Sequence, residues 1–132
     1  MKKTFKLLTL LLLVLSSCSS DDESNSNSNI QINPPNWIQG TWLIEDSNTI
    51  GFRFTSNDVI IIQSGAEISQ RGQLEIFSES GQDVSANDES TQNTYRLTSN
   101  FPAGQTTIYA FTKISDTEIT WDTAGNSIFV KQ

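Results

Sequence analysis

From Thr41 onward the chain alternates apolar and polar residues in short runs. Phe52 and Phe54 flank Arg53, Leu74 and Ile76 flank Glu75, Tyr95 and Leu97 flank Arg96, and Ile119 and Trp121 flank Thr120. A period of two places the apolar members of each run on one face of a strand. Eight strands are predicted: Thr41–Glu45, Gly51–Thr55, Asp58–Gln63, Gly72–Ser78, Thr94–Ser99, Thr106–Lys113, Glu118–Trp121 and Ser127–Lys131. Val59–Ile62 and Ile108–Phe111 are apolar throughout, so their inward parity stays open. Turn residues separate the runs, as in Ser56-Asn57-Asp58 and Thr123-Ala124-Gly125-Asn126. No twelve-residue window reads as a helical stripe. Evenly spaced short strands point to an antiparallel sandwich or barrel. The alternation assigns Trp42, Phe52, Phe54, Leu74, Ile76, Tyr95, Leu97, Ile119, Trp121, Ile128 and Val130 to the interior.

The first 36 residues follow different patterns. Lys2, Lys3 and Lys6 precede an apolar run, Leu7–Leu15, broken only by Thr9. Such a run is far shorter than the ~20 residues of a membrane-spanning helix. A basic start, a short apolar core and then small residues reads as a secretory signal over residues 1–17. Ser24–Asn33, "SNSNSNIQIN", cannot bury apolar area and is followed by Pro34 and Pro35. Residues 18–36 are therefore expected to be a disordered tether, and residues 37–132 one domain.

Charge and composition narrow the function. After residue 18 the chain has fifteen acidic residues against five basic ones, a net of −10. Nucleic acid and anionic membrane surfaces are poor partners for that charge. The chain has no histidine, which excludes Ser-His-acid and Cys-His catalysis. With a single cysteine it also lacks the usual zinc ligands. Asp116, Glu118 and Asp122 are close in sequence but fall at turns and strand ends, where solvated carboxylates are ordinary. The expectation is no enzyme, no metal and no cofactor.

The single cysteine sits where the apolar run meets an acidic one. Leu15-Ser16-Ser17-Cys18 resembles the bacterial lipobox. That resemblance implies diacylglyceryl transfer to the Cys18 thiol, cleavage before it and acylation of the new amine. As thiolate, cysteine is a far better nucleophile than serine at neutral pH. Ser19-Ser20-Asp21-Asp22-Glu23 resembles the acidic export tag of lipoproteins carried on the outer face of the outer membrane. The implied location is the outer membrane, lipid-anchored and facing the exterior. Asp122-Thr123-Ala124 is similar to the O-glycosylation site of bacteria that use such a tag, and is otherwise a plain turn.

Gly40-Thr41-Trp42 resembles the glycine-any-tryptophan motif that opens the first strand of lipocalins. Gly51–Asp58 is similar to the second strand and turn of short bacterial lipocalin-like domains, and Ile114–Trp121 to their penultimate strand. The resemblance implies an all-β fold, a small eight-stranded antiparallel up-and-down barrel with Trp42 plugging one end. Its first and last strands would pair. Many lipocalins stack an arginine on that tryptophan. Here no arginine follows Arg96, so either Lys131 substitutes or the contact is absent.

The resemblance further implies a small apolar ligand, lined by Trp42, Phe52, Phe54, Tyr95 and Trp121. The alternative is a filled barrel, because eleven aromatics fall between Trp37 and Phe129 and an eight-stranded barrel is just wide enough to be filled by side chains. Such a barrel would serve as a surface interaction or structural module. The expected partners are the bilayer, through Cys18, and either that ligand or a surface protein; the chain is expected to be a monomer.

Overall fold

The computed structural model describes residues 29–132. Nine strands form one antiparallel sheet: β1 (Gly40–Ile44), β2 (Ile50–Phe54), β3 (Val59–Gln63), β4 (Ala66–Ser69), β5 (Ser85–Ser90), β6 (Thr94–Phe101), β7 (Gln105–Lys113), β8 (Glu118–Trp121) and β9 (Ser127–Lys131). Helix α1 (Gln70–Glu79) joins β4 to β5. The spatial order is β4-β3-β2-β1-β9-β8-β7-β6-β5. Every neighbour is adjacent in sequence except β1 and β9, the first and last strands, which pair through Trp42 with Lys131 and Ile44 with Phe129. The sheet curls into a half-barrel. Among the described residues no ladder joins β4 to β5, so the seam of the curl lies where the helix is inserted.

The strand count is nine, not eight, and the difference has local causes. Gly72–Ser78, expected as a strand, is the body of α1. Leu74 and Ile76 fit a period of two, but Gln70, Leu74 and Phe77 fit a helical spacing better. The first two are buried and Phe77 packs against the core, while Ile76 is 68% exposed rather than inward. The helix start is chemically fixed. Ser69 Oγ accepts the Gly72 N–H at 2.8 Å as the N-cap. Asp58, in the β2–β3 turn, accepts the Arg71 N–H at 2.9 Å and the Val59 N–H at 2.8 Å, and also accepts the Ser69 hydroxyl. A buried carboxylate at a helix N-terminus meets unpaired N–H groups and the positive end of the dipole. The added strands β4 and β5 escape an apolar reading because their sequences, AEIS and SANDES, are mostly polar.

The register resolves the ambiguous runs. Val59 and Ile61 oppose Phe54 and Phe52, and Tyr109 and Phe111 oppose Leu97 and Tyr95; all face inward. In β9 the inward residue is Phe129, 1% exposed, whereas Ile128 is 39% exposed. The expected inward placement of Ile128 and Val130 is thus reversed. Three consecutive apolar residues carry no parity of their own, and pairing with β1 decides it. Trp42, Phe52, Phe54, Leu74, Tyr95, Leu97 and Ile119 are buried as expected.

The folded body also starts earlier than residue 37. Asn29–Asn33, expected within the tether, lies along the β5 edge. Gln31 N donates to Ala86 O and Ala86 N to Asn29 O, both at 2.8 Å, and Asn33 N donates to the Asp88 carboxylate. Ile30 and Ile32 alternate with polar residues and enter the core, at 7% and 0% exposure. The Ser-Asn repeat masks them, because only two apolar residues mark the change. This strap covers one edge of the seam. On the other side α1 packs on β3 and β4, and Phe77 meets Phe101 of β6 edge-to-face at 6.0 Å. Exposed edges invite pairing with other chains, and the strap occupies one of them. Ile32→Ala is expected to cost ~2–3 kcal/mol in urea unfolding, as buried isoleucine truncations do. An unchanged midpoint would mean that the segment is only a tether.

Candidate functional site

One end of the curled sheet is closed and the other is cleft. At the closed end Trp42 is fully buried. Its Nε1 donates to Ile38 O at 2.6 Å, and Lys131 Nζ lies 5.1 Å from its ring centroid. Lys131 thus makes the cation–π contact for which no arginine is available. Gly40 allows this approach, because a Cβ there would stand 3.0 Å from Lys131 Cε.

Behind Trp42 the interior is filled. Phe52, Phe54, Phe111, Tyr95 and Phe129 are all 0–2% exposed. Phe54 meets Phe111 at 5.1 Å and Tyr95 at 6.0 Å, both nearly perpendicular. The Tyr95 hydroxyl donates to Asp88 Oδ2 at 3.1 Å, the carboxylate that also holds the strap. Burial, and then the Asp88 charge, push the Tyr95 phenol far above its ordinary pKa. Tyr95 is therefore a neutral donor that ties β6 to β5.

At the opposite end, where β2 and β9 begin and β3 and β8 finish, a cleft of about 290 Å³ opens between Ile50, Phe52, Ile61, Tyr109, Trp121 and Phe129, with Gly51, Ile62 and Gln63 at its rim. This volume is at the small end of ligand sites, ~300–1,000 Å³. Phe52 forms the floor. Trp121 stands at 78° to it with centroids 5.0 Å apart, Phe129 at 61° and 5.4 Å, and Tyr109 at 70° and 5.9 Å. Trp121 and Tyr109 lie side by side at 23°. Trp121 Nε1 is buried and finds no acceptor among the described residues. Burial raises the Tyr109 phenol above its ordinary value, so it too is neutral at physiological pH. No charged residue lines the cleft.

No protein-family model, curated protein or solved structure matches the chain. The site therefore rests on its geometry.

Of the residues expected to line a ligand, Phe52 and Trp121 do line this cleft, whereas Trp42, Phe54 and Tyr95 lie deeper in the packed interior. Tyr109 and Phe129 were not foreseen. Tyr109 belongs to the run with open parity, and Phe129 to the strand whose parity is reversed. Cys18, Ser19, Ser20, Asp21, Asp22 and Glu23 lie outside the described residues. Of the three C-terminal carboxylates, Asp116 pairs with Lys113 at 2.7 Å, which holds it below the usual range. Asp122 accepts from the Thr112 and Thr120 hydroxyls at 2.7 Å each. Among the described residues no three metal-ligating side chains converge. Thr123, in the turn after β8, donates through Oγ1 to Ile108 O of β7 at 3.2 Å.

Proposed function

We propose that the chain is an outer-membrane lipoprotein, anchored through Cys18 and facing the exterior, whose half-barrel holds a small apolar ligand in the aromatic cleft. The observation that carries the binding reading is the cleft at the open end, where the half-buried rings of Tyr109 and Trp121 lie over the buried Phe52 and Phe129. Aromatic surface left open at the mouth of a filled sheet costs hydration free energy, which a ligand would recover. The finer description, a closed lipocalin-like barrel, belongs to the same proposal, with α1 and the strap standing in for the missing ladder at the seam. Calorimetric titration with a small, mostly apolar, neutral alcohol such as cyclohexanol should find one site. Ile61→Trp, which fills the cleft, should abolish it without lowering the melting temperature. No binding to the unsubstituted protein would overturn the reading.

The anchor rests on the lipobox and on the apolar run before it. Three acyl chains exceed what stable anchoring needs, since one chain holds only marginally. Labelled palmitate should enter the protein, and Cys18→Ala should lose the label and move to the soluble fraction. A labelled, membrane-bound mutant would place the anchor elsewhere. Replacing Asp21, Asp22 and Glu23 by Ala should keep the label but shield the protein from protease added to whole cells. Unchanged accessibility would reduce the acidic run to a linker.

A second reading, a filled module that docks a surface protein, is favoured by one observation. Ile76, Phe77 and Phe101 line a groove beside α1 together with Gln73, Gln105 and Thr107, and Ile76 is 68% exposed. Ile76→Ser would then abolish that docking and leave the cleft intact.

A further inference from the structure

The strap has a direction, and that direction decides from which end of the body the chain leaves toward Cys18. Ile30 pairs with Ala86 of β5 in parallel. β5 starts at Ser85, opposite Asn100 near the end of β6, and finishes at Ser90, opposite Tyr95 near the start of β6. The end of β6 pairs with the start of β7, which extends past the end of β8 at the cleft. β5 and the strap therefore both begin at the cleft end. From Asn29 the chain runs to the closed end, where the Trp37 indole donates to Thr91 O and Ile38 O accepts the Trp42 indole N–H. Were the strap undone, the body would begin near Trp37 and the chain would leave it at the closed end. Docking the strap moves that exit to the opposite end, beside the cleft.

The distance from there to Cys18 is short. Asn29 lies eleven residues after Cys18, a separation that can reach at most ~36–40 Å. β7 has nine residues, which at ~3.3 Å each make the body ~30 Å tall along its strands. Turning the body over, closed end down, would consume most of that reach and the chain entropy that goes with it. With the cleft end down, no such extension is needed. Charge then selects the surface. The turns at the cleft end, residues 45–49, 64–65, 80–84, 102–104 and 122–126, carry Glu45, Asp46, Asp83 and Asp122 and no lysine or arginine. Lys113 and Lys131 end β7 and β9 at the closed end, and Arg71 donates to Asn57 O in the β2–β3 turn there. An anionic surface would repel the cleft end within a Debye length, ~10 Å at 0.1 M salt, whereas a zwitterionic one would not.

We propose that the strap sets the orientation of the body on its anchor, so that the cleft end faces the bilayer and the surface it fits is a zwitterionic or uncharged one. This inference rests on the reading of Cys18 as the lipid anchor, and gives the cleft its side. The aromatic cleft then opens toward the lipid and the closed end toward the medium.

The test places the mature lipidated chain on phosphatidylcholine vesicles that carry an energy-transfer acceptor on a headgroup. Cys18 is the single cysteine and its thiol is acylated, so an introduced thiol takes the donor dye alone. Asn48→Cys puts the donor on an exposed position of the β1–β2 loop, at the cleft end, and Gln92→Cys on an exposed position of the β5–β6 turn, at the closed end. Transfer from position 48 should be about twofold more efficient than from position 92. Duplicating residues 19–28 leaves the folded body untouched and should bring the two efficiencies together. Adding phosphatidylglycerol at 20 mM salt should also narrow the gap, and 500 mM salt should restore it, as screening requires. Equal transfer from the two positions, or more from position 92, would overturn the orientation. A gap unchanged by the longer segment would overturn the role of the strap, and one unchanged by the anionic lipid would overturn the choice of surface. A chain that does not float with the vesicles at all would remove the anchor, and this inference with it.

Discussion

Gly51→Ala should be the most damaging single methyl group that can be added to this domain. A Cβ at Gly51 would stand 2.0 Å from Trp42 O and 2.9 Å from Leu43 Cα, both backbone atoms. A flexible side chain could swing away from such a contact, but a strand backbone cannot. β1 is hydrogen-bonded to β2 on one side and to β9 on the other, so moving it disturbs both ladders. Overpacking costs ~1–3 kcal/mol where side chains can adjust, and here none can. A loss of about 3 kcal/mol or more is expected from a domain that usually has ~5–15 kcal/mol. The melting temperature should fall by more than ~12 °C, at ~4–8 °C per kcal/mol for a body of this size. Gly65→Ala is the control. Its backbone is left-handed at φ 79°, but nothing lies within 4 Å of the added Cβ, so it should lose only ~1 kcal/mol. Equal effects at the two positions would mean that β1 and β2 do not approach as closely as described.

Trp42→Ala should cost ~3–5 kcal/mol, the range for removing a large buried aromatic. Trp42 is fully buried, and two specific contacts would be lost with it. Its Nε1 satisfies the Ile38 carbonyl at 2.6 Å, and its face carries Lys131 at 5.1 Å. Graded substitutions separate these terms. Trp42→Phe keeps most of the volume but leaves the Ile38 carbonyl unpaired in the interior, at ~1–3 kcal/mol. Lys131→Met keeps the aliphatic stem over the ring and loses only the charge, at ~0.5–1 kcal/mol. Urea unfolding should therefore rank Trp42→Ala as worst, then Trp42→Phe, then Lys131→Met. If Lys131→Met were as harmful as Trp42→Ala, the closed end would depend on the cation and not on the buried ring.

The alternating runs around Arg53, Arg96 and Thr120 were legible because each has one apolar face and one polar face. Where both faces are apolar, as in Val59–Ile62, Ile108–Phe111 and Ile128–Val130, parity depends on a partner strand, which a single segment cannot reveal. That is why Tyr109 and Phe129, half of the aromatic cleft, were not readable as lining residues. The helix was hidden for a different reason. Its buried positions begin with a glutamine, Gln70, and its Ser69 cap is supported by Asp58, twelve residues before the helix. A tertiary hydrogen bond has no signature in a local window. The strap was hidden by composition, since Ile30 and Ile32 are the only apolar residues in a long run of Ser, Asn and Gln. The Gly40-Thr41-Trp42 start was the most informative short signal. It pointed to a buried tryptophan at one end and to pairing of the first and last strands, and both are present.

The three tryptophans allow a direct test of the cleft. Trp37 Nε1 donates to Thr91 O at 3.1 Å and Trp42 Nε1 to Ile38 O at 2.6 Å, whereas Trp121 Nε1 has no acceptor among the described residues. Their indole N–H resonances should therefore be distinct, with that of Trp121 furthest from the hydrogen-bonded position. Titrating the whole chain in a non-ionic detergent with cyclohexanol should move the Trp121 resonance along a saturable curve and leave those of Trp37 and Trp42 in place. A shift of Trp42 instead, or no saturable shift of Trp121, would contradict a ligand site at the open end of the half-barrel.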